Sequence, residues 1–365
     1  MTPGQIALRA LLVGFIIAFA SITGFAYTTL LERKLLARFQ VRLGPNRAGY
    51  IPLPRRGGSE RKLLKGIMQP GADAVKLFFK EDMTPAKVDV ITYNLAPMLT
   101  VMPAIVILAV IPWAGKISMF GAEFAPYFAI APGLNIAVLF LLAITSISVY
   151  GVVLAGWASN SKYAILGGIR ASAQMISYEL ALGLTILIPI MLADSMNLGD
   201  IVAAQADGWF VLRQPIAALV FFIGMLAELQ RSPFDLLEAE QELSAGFSVE
   251  YSGMRFGMFF MAEYMKMIAF SAIIATLFFG GYRGPFVDAY PGLGILYIIL
   301  KIFFFLCLMI WIRASLPRFR YDQLMGLGWK RLLPISVFNF IIVGVFIVLK
   351  QEGVFDALLQ AIGLG

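Results

Sequence analysis

Residues 293–312, LGILYIILKIFFFLCLMIWI, are twenty consecutive positions with a single charge, Lys301. About twenty apolar helical residues are what a hydrocarbon core of roughly 30 Å demands. The stretch lacks the alternation of a barrel strand, so its backbone must be satisfied within a helix. Outward from it in both directions, seven more such runs lie near 8–31, 93–113, 134–155, 175–193, 214–230, 257–280 and 332–349. The expected fold class is an all-α integral membrane protein. It is one polytopic membrane domain over 1–365, built as a bundle of about eight transmembrane helices.

Composition agrees with that reading. Of 365 residues 60% are hydrophobic and 14% charged, where a soluble domain carries about a quarter charged. No basic leader with a short apolar stretch and a small-residue cleavage site precedes the first run, which is therefore expected to be retained. The chain has one cysteine, Cys307, and no histidine. An internal disulfide, a His-based zinc site and a catalytic triad are excluded. Iron–sulfur clusters need several thiolates and protein-ligated haem usually needs His. No metal, haem or iron–sulfur cluster is expected in the chain, so in any redox process other subunits would hold the metals.

The loops after the first, third, fifth and seventh runs contain 22 of the 29 Lys and Arg residues. Basic residues retained on the cytoplasmic side set topology. Loops 32–92, 156–173, 231–256 and 313–331 are thus expected in the cytoplasm and both termini outside. Loop 32–92 holds thirteen basic and six acidic residues. Its middle, IPLPRRGGSERK (51–62), reads as a flexible basic insertion, most simply a solvated loop beside anionic lipid. After it, QPGADAVKLFFKED (69–82) sets Ala72, Val75 and Phe79 on one helical stripe and Asp73, Lys76 and Lys80 on another, the pattern of an interfacial amphipathic helix. No fixed-period repeat is visible, which argues against a solenoid and weakens an inverted-repeat transporter.

Charges inside or beside the runs are few. Glu179 lies in the fourth, Glu228 near the cytoplasmic end of the fifth, Glu263 and Lys266 in the sixth and Lys301 in the seventh. A charge at the bilayer centre costs roughly 3 kcal/mol on insertion scales, so each should face the bundle interior or water. They read as a chain of protonatable sites, or, for Glu263 and Lys266 at i,i+3, as a pair that neutralises itself. Between the fifth and sixth runs, AELQRSPFDLLEAEQELSAGFSVEYSG (227–253) places Glu228, Asp235, Glu238, Glu240, Glu242 and Glu250 around one Arg231. Carboxylates crowded where the dielectric is low should titrate as a coupled set. Pro233 should interrupt or end the fifth helix. If 236–243 is helical, Glu238 and Glu242 share a face and Glu240 does not. A solvated acidic loop is the plainer reading, and a calcium site is weaker because the glycine-centred EF-hand spacing is missing. Arg33, Arg38, Arg42 and Arg47 after the first run, with Arg313, Arg318 and Arg320 after the seventh, are ordinary topology markers. As guanidinium forks they also suit a docking face for carboxylates.

Five strings carry a resemblance. ERKLLARFQVRLGPNRAG (32–49), QPGADAVKLFFKED, GWASNSKYAILGGIRASAQMISYEL (156–180), the acidic segment, and WIRASLPRFRYDQLMGLGWK (311–330) together resemble the quinone-site membrane subunit of respiratory complex I, the subunit-1 or H type. The resemblance runs from about residue 27 to 334. It implies a subunit of proton-pumping NADH:quinone oxidoreductase that lines the tunnel for ubiquinone or menaquinone and couples quinone reduction to proton translocation. It implies iron–sulfur and quinone-site hydrophilic subunits as cytoplasmic partners, small and antiporter-like subunits in the membrane, lipid contact and no nucleic acid. Quinone is then the substrate, flavin and clusters stay with other subunits, and the place is an energy-transducing membrane, the bacterial cytoplasmic membrane.

Position by position, the resemblance implies a proton path at Glu179, Glu228, Asp235, Glu238, Glu240, Glu242, Glu250 and Glu263. It implies quinone-tunnel positions at Glu32, Arg33, Phe39, Asp73, Ala74 and Lys76, with Arg231, Arg313 and Arg318 bordering the cavity. Two departures stand out. Tyr50 to Lys65 inserts about ten extra residues into the first loop. Ser146 stands where some members have a carboxylate, so one intramembrane proton site is expected to be absent. The competing readings are a stand-alone proton-coupled transporter and the related membrane subunit of a hydrogenase or ferredoxin-linked complex.

Overall fold

The computed structural model describes residues 3–352 other than 50, 54–60, 64, 116, 120–121, 125–127, 132, 236–245 and 288. Among the described residues, seven long helices are apolar enough to cross a membrane. They are α1 (Pro3–Phe39), α3 (Val90–Ile107), α4 (Ala137–Ala158), α5 (Lys162–Ala193), α9 (Gly253–Phe278), α10 (Leu293–Ser315) and the continuous stretch of α11 (Tyr321–Leu327), a π turn (Gly328–Leu332) and α12 (Leu333–Gln351). The expected bundle is present. The fifth apolar run forms a shorter helix, α8 (Pro215–Glu228), after two small outer helices, α6 (Leu198–Ala204) and α7 (Phe210–Arg213).

At 14 residues α8 covers about 21 Å at 1.5 Å per residue, too little for the hydrocarbon core alone. The chain continues as irregular backbone in which Leu229, Arg231, Phe234 and Asp235 remain buried. Irregular backbone at such depth persists only where protein covers it. That cover comes from α5, α9 and the 317–320 segment.

Elsewhere the helices outrun their apolar limits, because hydropathy marks where a helix leaves lipid and intrahelical hydrogen bonds carry on into the polar face. α1 continues to Phe39, α5 begins at Lys162 and the last helical stretch begins at Tyr321. Much of the expected loops 156–173 and 313–331 is therefore helix.

α9 is the central element, with every residue from Tyr264 to Phe278 buried. A helix apolar all round belongs in a core. α4 sits tight on both neighbours. A Cβ at Gly151 would fall 2.5 Å from Thr100 Cγ2 on α3, and one at Gly156 would fall 2.7 Å from the Ala164 carbonyl oxygen on α5. Small residues let membrane helices approach in this way.

The basic insertion differs from expectation. Ile51–Leu53 (β1) and Arg61–Leu63 (β2) pair antiparallel, Ile51 opposite Leu63, so its two arms are paired strands, while residues 54–60 between them lie outside the described residues. A second strand pair, Ile117–Met119 (β3) with Ala122–Phe124 (β4), lies between α3 and α4. The interfacial helix α2 (Gln69–Phe79) forms as expected, with Pro70 in its first turn and no buried residue. Val75, Phe78 and Phe79 point away from the bundle, 58%, 73% and 88% exposed. Leu77 approaches α9, within 3.1 Å of a Cβ placed at Gly257.

Candidate functional site

The site begins where α8 stops. Gln230 has a left-handed φ of 55°. The Gln230 N–H donates to the Ala227 carbonyl (3.2 Å) and the Arg231 N–H to the Leu226 carbonyl (3.3 Å), the two bonds of a Schellman stop. The helix thus ends ahead of Pro233, not at it. Gln174 of α5, 1% exposed, donates from Nε2 to the Ala227 carbonyl (2.8 Å) and the Phe234 carbonyl (3.0 Å), bracketing the turn that carries Arg231. Each buried carbonyl stranded by Gln174→Leu should cost about 1–3 kcal/mol. The expected result is a lower thermal midpoint of the assembled protein, with Gln174→Glu milder than Leu only if one of the two bonds survives.

Arg231 then reaches inward between two carboxylates from different helices. Its Nη1 donates to Glu32 Oε1 on α1 (3.1 Å) and its Nε lies 2.7 Å from Glu263 Oε1 on α9. The guanidinium stands over the Tyr264 ring, 4.4 Å from its centroid. Arg313 at the end of α10 donates to the same Glu32 oxygen. A guanidinium keeps its proton in proteins, and Glu32 and Glu263 compensate its buried charge. The cation is permanent. Among the described residues Glu32 Oε2 and Arg231 Nη2 have no hydrogen-bond partner. The expected tunnel and acid path are thereby not separate sets, since Arg231 joins Glu32 of one to Glu263 of the other.

Two small cavities extend from this cluster into the bundle. One of about 60 Å³ is lined by Glu228, Gln230, Glu263 and Lys266 with Thr100 and Phe260. The other, about 20 Å³, lies between Glu179 and Glu228 beside Thr145. A water needs roughly 10–15 Å³ of such volume, so the first has room for several and the second for one. Glu228, 2% exposed, lines both. Ser146, the residue without a carboxylate, hydrogen-bonds its hydroxyl to Glu179 Oε1. Glu263 and Lys266 each have another partner: Glu263 faces Arg231, and Lys266 donates to Ser148 Oγ (2.8 Å). Lys301 belongs elsewhere. Its ammonium donates to the Phe279, Gly281 and Arg283 carbonyls at 2.7, 2.7 and 2.8 Å beyond the far end of α9.

Next to Glu32 in the chain, Arg33 pairs with Asp73 of α2 (2.5 Å), which also accepts from Gln69 (3.0 Å). Asp235, buried, is 3.3 Å from Arg318 Nη2, and the Phe319 N–H donates to the Pro233 carbonyl (3.0 Å). The structure does not bring Phe39, Ala74 and Lys76 to the buried cluster. All three are exposed. Glu250 marks the end of the acidic segment, where its carbonyl accepts from the Tyr93 hydroxyl (2.6 Å) and Tyr251 stacks on Tyr93 at 4.1 Å. Burial raises the Tyr251 pKa, keeping it a donor to the Tyr93 carbonyl (3.2 Å). Glu238, Glu240 and Glu242 lie outside the described residues. Gln174, Ser148, Tyr93 and Tyr264 were not singled out by the sequence, in which a lone amide or hydroxyl in an apolar run is unremarkable.

A sequence model of the family described as NADH dehydrogenase matches residues 12–344. The chain is 47% identical over 331 residues to the second H-type subunit of NADH-quinone oxidoreductase from Geobacter metallireducens, covering 88% of this chain and 90% of that one. It is 49% identical over 334 residues to the H-type subunit of NADH-quinone oxidoreductase from Deinococcus deserti, covering 90% and 81%. To the second H-type subunit from Rhizobium meliloti it is 47% identical over 317 residues, covering 87% and 90%.

Proposed function

Since this chain belongs to the H-type family of NADH-quinone oxidoreductase subunits, the membrane component of complex I, we infer that its Arg231 cluster is where quinone chemistry meets the intramembrane acids. The chain works as one subunit of that enzyme and is not catalytic alone. Its partners are other complex I subunits, and the iron–sulfur and quinone-site hydrophilic subunits dock on the cytoplasmic face that the basic loops define. The membrane is the bacterial cytoplasmic membrane, with both termini outside.

The observation that carries the quinone assignment is a route from lipid to the buried charges. An apolar groove of about 390 Å³ runs along α1 past Ile16, Ala20, Gly24 and Thr28, with Ile299 and Phe303 of α10 on its other side. Thr28 lies one helical turn before Glu32. A mostly apolar cleft ending in a few placed polar groups is the usual form of a ligand site. The groove takes the isoprenoid tail, and Arg33, Asp73, Arg231, Arg313 and Arg318 steer and hold the polar end. Ala20→Phe fills the groove. It should slow reduction of long-tailed quinones several-fold, mainly through KM, while a tail-less quinone reacts as in wild type. Equal rates for both classes of quinone would remove the groove from the route.

Quinone reduction takes up two electrons and two protons, so charge changes close to the Glu32–Arg231–Glu263 triad. Two unit charges 4 Å apart interact by about 4 kcal/mol at an effective dielectric of ~20. That is enough to alter which carboxyl holds a proton. Arg231 is permanently charged and shared, so a stronger pull from the Glu32 side weakens its hold on Glu263. The change then passes to Glu228 and Glu179 through the two cavities, while Asp235, Glu238, Glu240, Glu242 and Glu250 exchange protons with the cytoplasmic side. The chain supplies positioned carboxylates and cations. The electrons come from NADH through centres held by the partners.

A further inference from the structure

Lys266 is 8% exposed, midway along the most buried helix of the bundle. An ammonium there costs roughly 3 kcal/mol on insertion scales and must be compensated. Lys301 shows how a structural lysine is compensated in this protein, with its three N–H groups on three carbonyls. Lys266 differs. An ammonium has three donors, and among the described residues Lys266 uses one, to Ser148 Oγ, whose hydroxyl is itself tied to the Thr145 carbonyl (2.7 Å). Lys266 lines the same cavity as Glu228 and Glu263. Both carboxylates are within its electrostatic reach. Glu228 is more deeply buried still, and its Oε2 has no hydrogen-bond partner among the described residues.

We propose that Lys266 is a working member of the proton path, an internal cation that swings from its resting contact on Ser148 toward whichever of Glu228 and Glu263 is ionised. A proton passing from Glu228 to Glu263 through the cavity converts one carboxyl to carboxylate and the other to carboxyl. Lys266 follows the negative charge, so each carboxylate formed in this transfer has a cation beside it. In this way α4, which lacks a carboxylate at Ser146, still contributes through two hydroxyls, Ser146 to Glu179 and Ser148 to Lys266. The inference rests on the reading of the acids as the proton path.

The test uses the intact complex in sealed vesicles, measuring quinone reduction and protons pumped per quinone. Lys266→Gln, one atom shorter, keeps a hydrogen-bonding end but removes the charge, and should cut pumping by roughly tenfold or more, with Lys266→Arg restoring part of it. Ser148→Ala leaves the charge in place and should lower the protons pumped per quinone at least about twofold, which serves if Lys266→Gln fails to assemble. Wild-type pumping in Lys266→Gln, or in Ser148→Ala, alongside loss of pumping in Glu228→Gln overturns the role of Lys266 and spares the acid path. Wild-type pumping in the Glu228 variant as well removes the acid path itself.

Discussion

Arg231→Gln is expected to slow quinone reduction by the assembled complex by roughly a hundredfold or more. The side chain is 6% exposed and is the cation between Glu32 and Glu263. Removing one partner of a buried ion pair costs about 3–5 kcal/mol, because the other charge is left uncompensated. At 1.36 kcal/mol per factor of ten, even half of that cost expressed in the barrier is a large loss. Glu32 keeps Arg313, so the greater damage falls on Glu263 and the cavities behind it. Arg231→Lys should recover only part of the rate, since one ammonium cannot serve both carboxylates as the planar fork does. The measurement is steady-state quinone reduction, with electron transfer to an acceptor upstream of quinone as the control for assembly. A variant within twofold of wild type would show that the two carboxylates do not depend on Arg231.

Glu228→Gln should separate the two halves of the reaction. The amide has the shape of the carboxyl but cannot release a proton, and Glu228 is the residue common to both cavities. Proton pumping is expected to fall by roughly tenfold or more, in the range removed with a positioned proton donor, while residual quinone reduction persists at a lower rate. Pumping and reduction both at wild-type levels would exclude Glu228 from proton transfer.

Much of the fold was legible because the bilayer imposes one length and one backbone solution, and LGILYIILKIFFFLCLMIWI shows both directly. The break after α8 was legible only in part. Pro233 announced an interruption, but a glutamine in left-handed conformation makes the stop three residues earlier, at a position where glycine would have been the sequence signal. The paired arms Ile51–Leu53 and Arg61–Leu63 are too short for period-two patterning to register.

The candidate site divides in the same way. Single acids in apolar runs stand out, so Glu179, Glu228 and Glu263 were identifiable one at a time. Their partners were not, because pairing Glu32 with Arg231 joins positions nearly two hundred residues apart. Composition grouped Lys301 with Lys266. Three carbonyls beyond the end of α9 set Lys301 apart, and Ser148 with two nearby carboxylates puts Lys266 within the acid cluster. Phe39, Ala74 and Lys76, carried over by resemblance, are exposed in the isolated chain, on the face assigned to the partner subunits.

Quinone chemistry at the Arg231 cluster should change the protonation of the buried carboxyls behind it. The direct measurement is redox-difference infrared spectroscopy of the intact complex, wild type against Glu228→Gln, in the protonated-carboxyl stretching region. The expected result is a carboxyl band that appears or vanishes on quinone reduction in wild type and is missing in the variant. Identical difference spectra from the two proteins would contradict it.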